Sequence, residues 1–295
     1  MAPSPFRLLR AALAFSALAN AQVFVDLGTA VKFAVLAGAA ITNTGPSVIK
    51  GDIGVSPGSS ITGFGSPAVV NDQQYPPGNP AVPLQAQNDI TTAYNAITNQ
   101  PTTMVLTGVD LGGLELIPGV YFFASSAQLT GTLILDGQNN PDSVWIFKIT
   151  STLTTASASA VLLTNGGLPC RVFWQVGSAA TLGTTTRFAG NILAMKAITS
   201  NLGASNIGGF YARTAMVTLD TTVIDAAPSS IYNPFDNTIN HSIDNTNDDT
   251  INHFIHNPVD NPVNHLFHHL FHHLFRHLFR HLFHHPVDNL LNNHF

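Results

Sequence analysis

Val172-Phe173-Trp174-Gln175-Val176, Gly190-Asn191-Ile192-Leu193-Ala194 and Gly208-Gly209-Phe210-Tyr211-Ala212 stand at intervals of eighteen residues. Each is followed by a short tetrad: Ser178-Ala179-Ala180-Thr181, Lys196-Ala197-Ile198-Thr199 and Thr214-Ala215-Met216-Val217. A fixed period of this length is the mark of stacked coils. Eighteen residues is three sides of six, which suits a triangular parallel β-helix whose coils repeat every ~4.8 Å. The sequence therefore predicts a mostly β chain, an irregular right-handed β-solenoid with flat walls.

The series continues upstream with looser spacing. Trp145-Ile146-Phe147-Lys148-Ile149 leads to Ser151-Thr152-Leu153-Thr154, and Tyr121-Phe122-Phe123 leads to Ala127-Gln128-Leu129-Thr130. The tetrads are offset by 24, 27, 18 and 18 residues, so the earlier coils carry corner loops such as Gln138-Asn139-Asn140-Pro141. Alternation assigns the sides of a strand. Leu129, Leu153, Ala180, Ile198 and Met216 share the third position and are expected to point inward. Gln128, Thr130, Thr152, Thr154, Ala179, Thr181, Ala197, Thr199, Ala215 and Val217 are then expected on the outer face, with Thr218 replacing Val217 if a one-residue bulge intervenes.

A different period marks one helix. Ala86, Ile90, Ala93, Tyr94 and Ile97 fall on one stripe, Pro80 and Pro83 precede it and Pro101 follows, which bounds a helix of about 84 to 99. Its apolar stripe needs a partner, and the outer positions Phe122, Ile146 and Phe173 offer one wall of the solenoid. Residues 28 to 64 alternate short apolar runs with turn glycines and read as another coil and a cap. Gly65 to Asn79 reads as a loop covering the open strand edges.

Composition bounds the function. Arg7 and Arg10 precede the apolar run Ala11 to Ala19, which ends in Ala19-Asn20-Ala21. This is the pattern of a secretory signal peptide over residues 1–21, too short for a membrane span of about 20 residues. The expected product is an extracellular chain starting near Gln22, with no membrane contact after processing. Between residues 22 and 228 there are seven basic and ten acidic side chains and no histidine. Such sparse, mixed charge offers no footprint for nucleic acid. Cys170 is the single cysteine, so no disulfide forms within the chain, and nothing calls for a cofactor.

Seven segments, in order, resemble a known family. They are Phe33–Ala37 (FAVLA), Thr44–Gly58 (TGPSVIKGDIGVSPG), Pro118–Tyr121 (PGVY), Val144–Phe147 (VWIF), Val172–Gly177 (VFWQVG), Gly190–Ala194 (GNILA) and Val217–Asp220 (VTLD). Together they are similar to the ice-binding, or antifreeze, proteins secreted by cold-adapted fungi, yeasts, algae and bacteria, over roughly Phe33 to Ile224. The resemblance implies an irregular β-solenoid with a long helix alongside, and adsorption to an ice crystal surface through one flat face. Some relatives carry tetrads of the form Thr, Ala or Gly, any residue, Thr or Asn. Lys196 and Ser178 depart from that form at the first position.

The physics of such a face is compatible with the residues. Outward side chains on one strand stand ~6.7 Å apart and coils repeat at ~4.8 Å, giving a two-dimensional grid. Methyl groups restrict neighbouring water, while hydroxyls anchor it. The bland alternative is a generic wall, since threonine and valine favour strands anyway.

Two rival classes fit a β-helix. A cell-wall polysaccharide enzyme would need clustered carboxylates in a groove, but Asp26, Asp52, Asp72, Asp89, Asp110, Glu115, Asp136, Asp142, Asp220 and Asp225 are scattered, many beside turn glycines. The expectation is no catalysis and a monomeric fold. An extracellular adhesin or polysaccharide-binding protein is the other class, and residues 229–295 are its best argument. All 13 histidines lie at or beyond His241, and His265 to His285 repeats His-Leu-Phe-x. A four-residue period drifts by about 40° per repeat on a helix, so no single stripe forms. The segment reads as a low-complexity tail without a packed core. The alternative is a metal role for His268, His269, His272, His273, His284 and His285. Asn240-His241-Ser242 is the one glycosylation sequon.

Overall fold

The computed structural model describes residues 25–75 and 81–226. The expected signal peptide, sequon and histidine tail lie outside the described residues. Short parallel strands form three sheets of eight, seven and eight strands, one for each wall of a solenoid. A coil of short β-branched and aromatic runs broken at glycine corners can pair only with the two coils stacked directly against it in space.

The first wall joins Gly119–Phe123, Trp145–Ile149, Val172–Val176, Asn191–Ala194 and Phe210–Ala212 in register. Its inward column stacks Tyr121, Phe147 and Trp174, with centroids 5.4 Å and then 3.9 Å apart. Both tryptophan Nε1 atoms donate to corner carbonyls, Trp145 to Leu116 O and Trp174 to Ala189 O, each at 3.0 Å. The rings thus fill the axis without leaving a buried donor orphaned.

The helix covers this wall from outside. It runs Ala81–Thr98, three residues earlier than the proline spacing predicts. Pro83 sits inside the first turn, where its missing N–H breaks no helical hydrogen bond. Ala86, Ile90, Ala93 and Ile97 are buried against Val120, Ile146, Phe173, Leu193 and Tyr211 in a second apolar cluster. Tyr94 is half-buried at the edge of the stripe under the guanidinium of Arg213, 5.4 Å from the ring centre. Phe122 is only half-buried, with the ammonium of Lys148 6.0 Å from its ring centre. Lys148 also donates to Thr98 O and Gln100 O and so closes the helix C-terminus.

Residues 28 to 64 make more than the one coil expected. Phe33–Ala37, Ala40–Thr44 and Val48–Lys50 form one coil, and Asp52–Val55, Ser60–Thr62 and Val69–Val70 form another. The predicted covering loop therefore contributes a strand, and Tyr75 N donates to Ile53 O at 3.0 Å. These two coils stack beyond the coil Phe210–Asp225, not before Tyr121. Val35 pairs with Phe210, Ile41 with Val217 and Ile49 with Ile224.

Candidate functional site

The second wall carries the tetrads. Its strands, in spatial order, are Ala127–Leu129, Leu153–Thr155, Ala180–Leu182, Ile198–Ser200, Val217–Asp220, Ala40–Thr44 and Ser60–Thr62. Register places Gln128, Thr154, Thr181, Thr199, Thr218, Thr42 and Thr62 in one outward column. Six successive threonines span about 24 Å at the usual strand separation. One step N-terminal on each strand lies an inward residue, and one step beyond it a second outward column: Ser126, Thr152, Ala179, Ala197, Met216, Ala40 and Ser60. None of these fourteen side chains is charged.

Three expectations need correction. Val217 is fully buried and Met216 is 44% exposed, the reverse of the assignment from the tetrad. Register shows the reason, because Ile198 pairs with Val217 and lies nineteen residues before it. The corner Arg213–Met216 holds one residue more than the corner Met195–Ala197, so Ala215 stays in the corner, where its carbonyl accepts from Gly38 N and Ala39 N. Thr218 takes the outward place, as the bulge alternative allowed. Second, Ala127 and not Leu129 pairs with Leu153; Leu129 is buried opposite Thr155, and the two coils are offset by 26 residues. Third, Thr130 is exposed but falls outside both columns, with Gln128 Nε2 donating to its hydroxyl at 3.2 Å. Thr42, Thr62, Ala40, Ser60 and Ser126 were missed by the tetrad reading. Alternation in Ala40-Ile41-Thr42 and Ser60-Ile61-Thr62 was visible in the sequence, but nothing there said where those strands stack.

Inner contacts hold the wall flat. Ala127, Leu153, Ala180, Ile198, Val217 and Ile41 form its buried underside, all at most 2% exposed. Buried hydroxyls tie the corner toward the third wall: Thr155 Oγ1 meets Thr186 Oγ1 at 2.9 Å, and Thr222 Oγ1 donates to Ser200 Oγ at 2.9 Å. Asn43 donates to Gly45 O and Gly63 O and accepts from Ser47 Oγ. At the far edge Asp110 bridges to Gln128 and accepts from Gly112 N and Thr130 N at 2.8 Å. Partial burial would raise its pKa, but these hydrogen bonds outweigh that and hold it below the ordinary carboxylate value. The edge strand thus ends at a charge that discourages pairing with another chain.

The third wall differs. Its outward positions include Arg187, Lys50, Asp136 and Glu115 among aliphatic residues, and Lys50 lies 3.3 Å from Asp225. Several of the scattered carboxylates are engaged in turns or ion pairs: Asp52 accepts from Gln73 N, Asp72 from Gly51 N, Asp136 from Gln138 N, and Asp142 meets Arg171 at 2.7 Å. Burial pushes the Tyr121 hydroxyl up to about 12, and it raises the Cys170 thiol as well. Among the described residues no group of three histidine, cysteine or acidic side chains could hold a metal, and no helix is long and apolar enough to cross a membrane.

The chain that folds into this three-walled parallel solenoid, with one helix-covered wall and one uncharged threonine wall, belongs to the ice-binding-like family, whose model matches residues 35–225. This is a family of ice-binding proteins rather than of enzymes. The chain is 49% identical over 226 residues to an ice-binding protein of Nostoc sp. (strain HG1), covering 75% of this chain and 82% of that one. Among solved structures it is similar to the ice-binding protein of the Antarctic ascomycete Antarctomyces psychrotrophicus, with 38% identity, a TM-score of 0.67, and coverage of 70% of this chain and 100% of that one. A glycosylated ice-binding protein from an Arctic yeast is similar at 31% identity and a TM-score of 0.65, covering 71% of this chain and 99% of that one.

Proposed function

We propose that the threonine wall adsorbs to ice and that the crystal front, forced to bulge between bound molecules, stops growing until the temperature falls further. The reading predicts thermal hysteresis and inhibition of recrystallisation. The observation that carries it is the column of six outward threonines from Thr154 to Thr62, in register over consecutive coils and flanked mainly by alanine, serine and threonine. No single hydroxyl or methyl binds ice strongly, so the effect rests on area and rigidity. The helix occupies the first wall, and fixed charges on the third hold their own hydration, which leaves the second as the wall best suited to ordered water.

The protein acts without catalysis, as a monomer, outside the cell. Residues 1–21 serve as a signal peptide, 22–228 form the working domain, and 229–295 are a low-complexity tail. The test is Thr181→Tyr, which sets a bulky ring on an outward position within the threonine column, between Thr154 and Thr199. Most of the hysteresis is expected to vanish while the melting temperature holds. Full hysteresis in the variant would reject this wall as the contact.

A further inference from the structure

The second outward column is small everywhere along the threonine run except at one place. From Thr152 to Ser60 it reads Thr, Ala, Ala, Met, Ala, Ser. Met216 stands between Ala197 and Ala40, is 44% exposed, and has only those two methyl groups beside it in the column. Its neighbour on the same strand, Thr218, belongs to the threonine column and accepts from Thr42 Oγ1 at 3.3 Å. A thioether three heavy atoms longer than alanine therefore stands, largely exposed, in a column whose members on both sides of it are alanine.

Resting on the proposed ice face, we infer that Met216 limits it: the side chain splits the grid into a patch over Thr152 to Ala197 and a patch over Ala40 to Ser60, which cannot both lie on one ice plane unless the methionine is pressed flat. Methionine is among the most rotamer-rich side chains, so pressing it flat opposes adsorption. Its position is fixed by the additional corner residue, which moves Ala215 off the wall and brings Met216 onto it. The residue thus determines how many coils engage ice at once.

Met216→Ala and Met216→Phe test this beside Thr181→Tyr, with Val223→Ala as a control. Val223 is 40% exposed on the third wall, so its truncation removes an exposed apolar group away from the face. The expected result is that Met216→Ala lowers the concentration for half-maximal recrystallisation inhibition about threefold, as releasing one immobilised flexible side chain would do. Met216→Phe raises that concentration, and Val223→Ala leaves it unchanged. Melting temperatures of the Met216 variants should match the parent, because the side chain is outside the core. An unchanged or raised concentration for Met216→Ala, with Thr181→Tyr still inactive, overturns the role of Met216 and leaves the face standing. If Thr181→Tyr is fully active, the face reading itself fails, and the inference fails with it.

Discussion

Close approach at a single residue sets the level of the wall. Gly177 opens the corner before Ala180, and a Cβ there would stand 2.1 Å from Thr150 O on the coil below. Neither partner has room to move, since Gly177 N donates to Ile149 O at 2.8 Å and Ser178 N to Ser151 O at 2.9 Å. Gly38 and Gly58 occupy the matching corners, with Cβ positions 2.4 Å and 1.9 Å from backbone oxygens of a neighbouring coil. Gly177→Ala is therefore expected to cost about 1–3 kcal/mol, the usual range for overpacking. A lower urea midpoint would show it, and an unchanged midpoint would mean that the coils can part without loss. Alternation makes Leu153, Ala180 and Ile198 legible as core from the sequence alone. The same rule failed at Met216 and Val217, because the tetrad spacing does not register one residue added in a corner, and every side chain after such an insertion changes face.

At the level of elements, the helix is fastened by polar contacts as well as by its stripe. Asp89 accepts from Thr29 N at 2.8 Å, Thr29 Oγ1 at 2.6 Å and Gln85 Nε2 at 2.9 Å, tying the helix to the 3-10 turn Gly28–Lys32. Partial desolvation alone would raise this carboxyl, yet the three hydrogen bonds prevail and hold it below its ordinary 3.8. A lowered folded pKa means that the carboxylate stabilises the fold above about pH 4 and that this share is lost as pH falls through the folded value. Asp89→Asn should thus cost about 1 kcal/mol at pH 7, given the exposure of the site. The gap between parent and variant, followed by thermal melts, should close toward pH 3. A gap independent of pH would show that the amide had lost packing rather than a charged acceptor. The helix was legible because its period of 3.6 survives in Ala86, Ile90, Ala93 and Ile97; its start was not, since a proline tolerated in a first turn looks like a proline that precedes one.

Chain order and spatial order part company in the whole molecule. The coils from Gly119 to Asp225 stack in sequence, and the coils from Phe33 to Val70 continue the stack after them. No period within the chain reports this, because the contacts that close it join residues such as Thr42 and Thr218, 176 positions apart. Such pairing is slow to find, since a long loop must close first. It also decides the extent of the candidate face, which without Thr42 and Thr62 would end at Thr218. Deleting residues 25–64 should bare the strands Phe210–Ala212, Val217–Asp220 and Val223–Asp225, and the fragment should aggregate on size-exclusion chromatography. A circular permutant is expected to behave oppositely. Ala226 and Ala34 both flank Gly51, a Cβ at which would stand 2.9 Å from each, so the exit of the last coil lies beside the entry of the next. A chain that starts at Ala81, runs to Ala226 and continues through a Gly/Ser linker into residues 25–75 places every coil in its spatial order. It should fold to the same melting temperature within a few degrees, refold faster in stopped-flow experiments because its contacts are more local, and keep its hysteresis. A permutant that folds but has lost hysteresis would separate the stack from the activity.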